Sequence, residues 1–179
     1  MKFWAETLPA KSAGLWLFHG DAEIQSTELG SNIFTGPPDV SIELSPGCIF
    51  CSIAEGKTSC YKIYEDKDYL AFLDIHPFVM GHSLVIPRKH YDTLPDMEEA
   101  AVGELFTVAA RVSSRVTRGM SADGFRLIQN NGEAAAQVVK HVHIHIVPMK
   151  LEDKDRRFGR LSPTDKEFRE VADAIIRHS

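Results

Sequence analysis

The sequence predicts an α+β domain built on an antiparallel meander sheet, and three observations carry that class. Short strand-like runs separated by turn residues fill 61–86, and a single long amphipathic pattern follows them. Further on, histidines alternate with aliphatic residues in His141-Val142-His143-Ile144-His145-Ile146-Val147. Strands this short and this close in sequence pair antiparallel, because a parallel pair needs a long crossover between its members.

The elements follow in chain order. Residues 1–45 hold Ser26, Thr27, Gly30, Ser31, Asn32 and the breaker cluster Gly36-Pro37-Pro38 without sustained periodicity, so they are read as an N-terminal extension. The domain then runs over 46–179. Strands are expected at 61–65, 69–73 and 83–86, divided by the turn Asp66-Lys67-Asp68 and by Pro77 and Gly81. Over 96–118, Val102, Leu105, Phe106, Ala109, Val112 and Val116 recur at helical spacing, with Gly119 as the stop. Two more strands, 125–129 and 139–148, complete the sheet. A last helix, opened by Ser162-Pro163, carries Phe168, Val171, Ala172 and Ile175.

The alternating segment holds the chemistry. On an extended strand His141, His143 and His145 share one face while Val142, Ile144 and Ile146 face a core. Neighbouring rings on that face start about 6.6 Å apart, so all three cannot readily close on one metal. Two of them could share an ion. Alternatively, a neutral imidazole acts as nucleophile while its neighbours orient it and stabilise charge.

Composition narrows the partners. The formal net charge of −5 gives no support for general affinity to nucleic acid or to an anionic membrane. No apolar run approaches the roughly twenty residues of a membrane span. The first twenty residues lack the basic start of a secretory signal and the arginine richness of a transit peptide, which predicts an intracellular location, cytoplasm or nucleus. Three cysteines make no disulfide framework: Cys48 and Cys51 form a Cys-x-x-Cys suited to metal or redox use, and Cys60 is read as a buried thiol.

Four ordered blocks carry a resemblance. Cys48-Ile49-Phe50-Cys51, Tyr69 through Ile75, Gly81-His82-Ser83-Leu84-Val85-Ile86-Pro87-Arg88-Lys89-His90-Tyr91, and Asn130 through His145 together are similar to the histidine triad, or HIT, family, and most of all to its Hint-like, zinc-bearing branch. The resemblance covers about residues 46–150. It implies a HIT-like fold and hydrolysis or transfer at the α-phosphate of purine nucleotide phosphoramidates or adenylyl conjugates. Within it, His143 would form a covalent nucleotidyl-histidine, with His145, His82 and Gln137 beside the phosphate. Asp74 would accept from the ribose hydroxyls, Asn130 would lie nearby, and Ile49, Phe50, Phe72 and Ile75 would form the base slot, although from sequence alone core packing is the better account of those hydrophobes.

The resemblance further implies a structural zinc on Cys48, Cys51, His90 and His141, no organic cofactor, and a homodimer formed through the long helix. Other functions remain open: a diadenosine polyphosphate hydrolase, a nucleotide-sensing interaction module using the extension, or a zinc enzyme built on the His-x-His pair. The chain departs from the family pattern at Ala136, commonly glycine, at Val138, often a hydroxyl residue, and in a tail without the branch's tryptophan.

Overall fold

The computed structural model describes residues 45, 47–154 and 159–178. The expected extension, 1–45, thus lies outside the described residues except for Ser45. The described chain runs α1 (Ile49–Ala54), β1 (Lys62–Glu65), β2 (Tyr69–Leu73), β3 (Ser83–Pro87), α2 (Glu99–Gly119), β4 (Gly124–Gln129), β5 (Ile144–Met149) and α3 (Asp165–Ile176). All five strands form one antiparallel sheet in the order β1-β2-β3-β5-β4. Only its first half is a meander. After β3 the chain leaves through α2, forms β4 at the far edge, and returns as β5 into the gap between β3 and β4.

Strand alternation divides the apolar residues between two faces. Tyr69, Ala71, Leu73, Val85, Val142, Ile144 and Ile146 meet Leu105, Val108, Ala109, Val112 and Val116 of α2 and Phe168, Ala172 and Ile175 of α3 in the main core. The opposite face of β2 and β3 presents Leu70, Phe72, Leu84 and Ile86 to Phe50 of α1. That second, smaller layer is where the cleft lies. No helix among the described residues is long and apolar enough to cross a membrane.

Several local expectations need correction. The short helix α1 was not expected: six residues are too few for a helical period to show. The long helix starts later, at Glu99, and Phe106 is left exposed while Val108 takes a core position. Thr164, not Ser162-Pro163, caps α3, its hydroxyl accepting from the Glu167 N–H while the Glu167 carboxylate closes the box. The last strand is regular only from Ile144, and the two residues before it that matter most, His141 and His143, sit in an irregular lead-in held by the Val142 N–H on the Tyr91 carbonyl at 2.8 Å.

Gly119, the last residue of α2, is a glycine for a steric reason. A Cβ there would stand 2.7 Å from the Cα of Ile175, so α2 and α3 touch backbone to backbone. A Gly119→Ala variant is expected to lose about 1–3 kcal/mol, because neither helix axis can shift without opening the core around Ile175. Chemical denaturation reads this directly; unchanged stability would show that α3 docks loosely.

Candidate functional site

Two histidine clusters flank the start of β5, and the donors and acceptors around them dictate where the protons sit. The first joins Cys48, Cys51, His90 and His141, whose ligand-capable atoms lie within 4.8 Å of one another. Cys48 caps the N-terminus of α1 and Cys51 follows one turn later, so both thiols sit at the same end of that helix. His141 Nε2 is 2.9 Å from the Pro87 carbonyl oxygen and must donate to it. His90 Nε2 is 2.8 Å from Asp92 Oδ1 and donates likewise. Each ring therefore turns a lone pair at Nδ1 toward the other, 3.2 Å apart, with Cys51 Sγ 3.2 Å from His90 Nδ1 and Cys48 Sγ 3.5 Å from His141 Nδ1. Two converging lone pairs, two thiols, and an acceptor behind each imidazole are the donor set of a tetrahedral cation. Burial holds His141 down at about 4, so that ring is neutral near pH 7, and it pushes the Cys51 thiol up, so without a cation the sulfur keeps its proton.

The second cluster is Asp74, His82 and His145, and it works differently. The Phe78 N–H donates to His82 Nδ1 at 3.2 Å, which leaves the His82 proton on Nε2. That proton is donated to His145 Nδ1, 3.0 Å away, so the His145 proton sits on Nε2. The pair makes a self-satisfied relay needing no ion, and it ends in a fixed N–H donor. Asp74 Oδ2 stands 3.6 Å from His82 Nδ1 and 3.9 Å from His145 Nδ1, too far to take either proton. Burial holds both rings down at about 4.

Between the clusters lies His143. Its Nδ1 is 2.6 Å from the His141 carbonyl oxygen and donates to it, so its Nε2 carries the free lone pair. Burial lowers its pKa as well, which keeps the ring neutral. The edges of Phe50 and His145 pack against it at centroid distances of 5.3 and 4.9 Å. His143 and His145 both line a cleft of about 760 Å³, within the range of small-molecule sites.

Because the buried imidazoles of His82 and His145 are held neutral, stability responds to acid. The unfolded chain takes up protons on these rings below about pH 6.5, whereas the folded chain resists until about pH 4, so stability is lost as pH falls through that window. The unfolding midpoint should drop by roughly 5 °C or more between about pH 6.5 and 4.5, before most carboxylates titrate, and less steeply in His82→Gln. A midpoint flat across the window would contradict it.

The cleft contains most of the residues singled out from the sequence. Ile49, Phe50, Phe72, Asp74, Ile75, Asn130, His143 and His145 line it, and His82 stands behind His145. The hydrophobes divide: Phe50 and Phe72 are core residues, while Ile49 and Ile75 stay 45% and 60% exposed on the cleft wall. Gln137 has a structural task as well. Its Oε1 accepts from the Gly132 N–H at 2.7 Å and its Nε2 donates one proton to the Asp92 carbonyl at 2.6 Å, so its amide holds the 132–137 loop and keeps one N–H for another acceptor. Ala136 in that loop has φ 62°, the left-handed region glycine enters without cost. Cys60 is only partly buried and lines the cleft; burial raises its thiol pKa. Phe78 and Arg160 also line the cleft, and no sequence pattern marked them.

Fold and site together define an α+β protein with a histidine-walled cleft on one face of an antiparallel sheet and a cation-type cluster beside it. Residues 55–151 match the family model described as HIT domain. The chain belongs to the HIT domain family. It is 37% identical over 142 residues to the adenylylsulfatase HINT3 of Arabidopsis thaliana, covering 77% of this chain and 72% of that one. It is 37% identical over 106 residues to the adenosine 5′-monophosphoramidase hnt1 of Schizosaccharomyces pombe, covering 59% and 77%. Among solved structures it resembles a zinc-bound histidine triad family protein from Mycobacterium smegmatis, with a TM-score of 0.65, 36% identity, and coverage of 73% of this chain and 94% of the other.

Proposed function

We propose that the protein is a nucleotidyl hydrolase that cleaves the bond between the α-phosphate of an adenosine nucleotide and a nitrogen or acid-anhydride leaving group. One observation carries this: a neutral imidazole, His143, anchored at Nδ1 on a backbone carbonyl and bearing its lone pair on Nε2 in the wall of a nucleotide-sized apolar cleft. The named activities of the plant and yeast relatives support the substrate class.

In the first step His143 Nε2 bonds to the α-phosphorus and the bond to the leaving group breaks, its electron pair departing with that group. Sulfate leaves as its dianion; an amine takes a proton from solvent. As the ring becomes cationic its Nδ1–H bond to the His141 carbonyl strengthens, which favours the transition state over the ground state. The His145 Nε2–H donates to the charged phosphoryl oxygens while keeping its proton, and the His82 relay fixes that direction. In the second step water attacks phosphorus, the phosphorus–Nε2 bond breaks, one proton goes to solvent, and the mononucleotide is released. Asp74 would accept from the ribose hydroxyls, with Ile49, Ile75, Phe50 and Phe72 around the base and Asn130 on the facing wall.

The test is turnover of adenosine 5′-phosphoramidate, adenylyl-lysine, adenylyl sulfate and diadenosine polyphosphates. Preference for the dinucleotides would shift the reading to a dinucleotide hydrolase, and absence of turnover with any of them would refute it. A zinc ion on Cys48, Cys51, His90 and His141 would be structural, since four protein donors leave no open position. Phe106 on α2 and Phe125 and Leu127 on edge strand β4 are large and exposed, which supports a homodimer over that surface. Sedimentation should give twice the chain mass for wild type and a shift toward the monomer for Phe106→Glu with Leu127→Glu; a monomeric wild type would overturn this.

A further inference from the structure

We propose that the cleft has a second anion subsite at its ribose edge, formed by Arg160, and that it accepts nucleotides phosphorylated on a ribose hydroxyl; this rests on the nucleotide reading above. Arg160 lies beyond the matched family residues, in the tail between β5 and α3. The Leu161 N–H donates to the Pro77 carbonyl at 2.8 Å and so pins this part of the tail on the loop after β2. The guanidinium carbon then sits 4.0 Å from the centroid of Phe78, whose ring stacks within 9° of parallel on His82. A planar cation is thus held over an aromatic face next to the catalytic relay.

Its contacts place it at the ribose position. Nη1 donates to the His76 carbonyl and approaches Asp74 Oδ2 at 3.4 Å. The other Asp74 oxygen already accepts from the His76 N–H at 2.8 Å, so Oδ2 is the oxygen left for a ribose hydroxyl, and Arg160 stands against it. Among the described residues Nη2 and Nε have no hydrogen-bond partner, and the side chain is 49% exposed while lining the cleft.

A bare ribose diol is satisfied by a carboxylate alone. A guanidinium beside that carboxylate, with two donor nitrogens uncommitted, adds what a phosphate on one of the two ribose oxygens requires while Asp74 accepts from the other, and it offsets the repulsion between carboxylate and phosphate. The exposed imidazole of His76 lines the same edge. If Arg160 only tied the tail to the rim, its loss would act alike on every nucleotide.

Calorimetry on the full chain with AMP, adenosine 2′,5′-bisphosphate and adenosine 3′,5′-bisphosphate separates these outcomes. We expect one bisphosphate to bind about tenfold tighter than AMP, the isomer showing which hydroxyl is read, and the ratio to shrink as salt is raised. In Arg160→Ala the ratio should fall to about one, and in Arg160→Glu it should invert. Wild type binding AMP but neither bisphosphate more tightly, or a ratio unchanged in Arg160→Ala, would overturn the subsite and leave the nucleotide reading standing. Failure to bind AMP at all would overturn both.

Discussion

His143→Ala is expected to lower kcat on adenosine 5′-phosphoramidate by about a thousandfold or more, with the affinity for AMP changed by less than about threefold. The asymmetry follows from geometry. His143 presents one lone pair, and its other nitrogen is committed to the His141 carbonyl. His145 cannot substitute, because its Nδ1 accepts the His82 proton and its Nε2 carries a proton of its own. His82 has no vacant nitrogen either. The apolar walls that would hold the base lie on α1 and β2, and Phe50, which packs its edge on the imidazole, is also held by Leu70, Phe72, Leu84 and Ile86. A single-turnover experiment gives a second readout: wild type should trap a labelled nucleotide on the protein after acid-free quenching, and the variant should not. Retention of even about a tenth of wild-type kcat in a folded variant would rule out covalent catalysis by this residue.

How much of this was legible in the sequence depends on the range of the interactions involved. The strand at 69–73 was found at its true limits, because Tyr69, Ala71 and Leu73 alternate with Leu70 and Phe72 and both faces are covered. The division of the 141–147 segment into a histidine face and an aliphatic face was also correct, since Val142, Ile144 and Ile146 all enter the main core. What the period could not show is that pairing with β3 and β4 begins only at Ile144. That irregular lead-in turns His141 toward the cysteines and frees its carbonyl for His143.

The insertion of β5 beside β3 is likewise a tertiary choice with no local signature. Gln137 was read from a motif as a partner of the phosphate or its leaving group; that its amide also bonds two backbone groups 5 and 45 residues away, one of them far in sequence, no local pattern points to. Phe78 and Arg160 went unmarked for the same reason: an aromatic in a loop and a cation in a tail acquire meaning only when the Leu161 to Pro77 bond brings them together. The exposure of Arg160 in a segment of low apolar content was the one signal available, and solvated arginines are too common for it to discriminate.

Metal removal is expected to have the largest effect on stability. The wild-type protein should hold about one zinc per chain, and extraction by a strong chelator should lower the unfolding midpoint by roughly 10 °C or more, since metal affinity is gained only in the ordered state. The reasoning is electrostatic. Two imidazole lone pairs 3.2 Å apart repel each other, and both rings are prevented from turning by the acceptors at Nε2, Pro87 O for His141 and Asp92 Oδ1 for His90. A divalent cation would convert that repulsion into four bonds, and its charge would draw the Cys51 thiol to the thiolate against the effect of burial. It would tie α1 to the segment entering β5, so its loss should free the Cys48 to Cys51 turn and, through the His141 carbonyl, disturb the anchor of His143. Activity should therefore fall on extraction but not vanish, and rise again on adding zinc, which distinguishes a structural ion from one that activates water. Cys48→Ser and His90→Ala should each lower zinc content and midpoint together. Elemental analysis decides: a metal-free wild type, or full zinc occupancy in both variants, would dismiss the site.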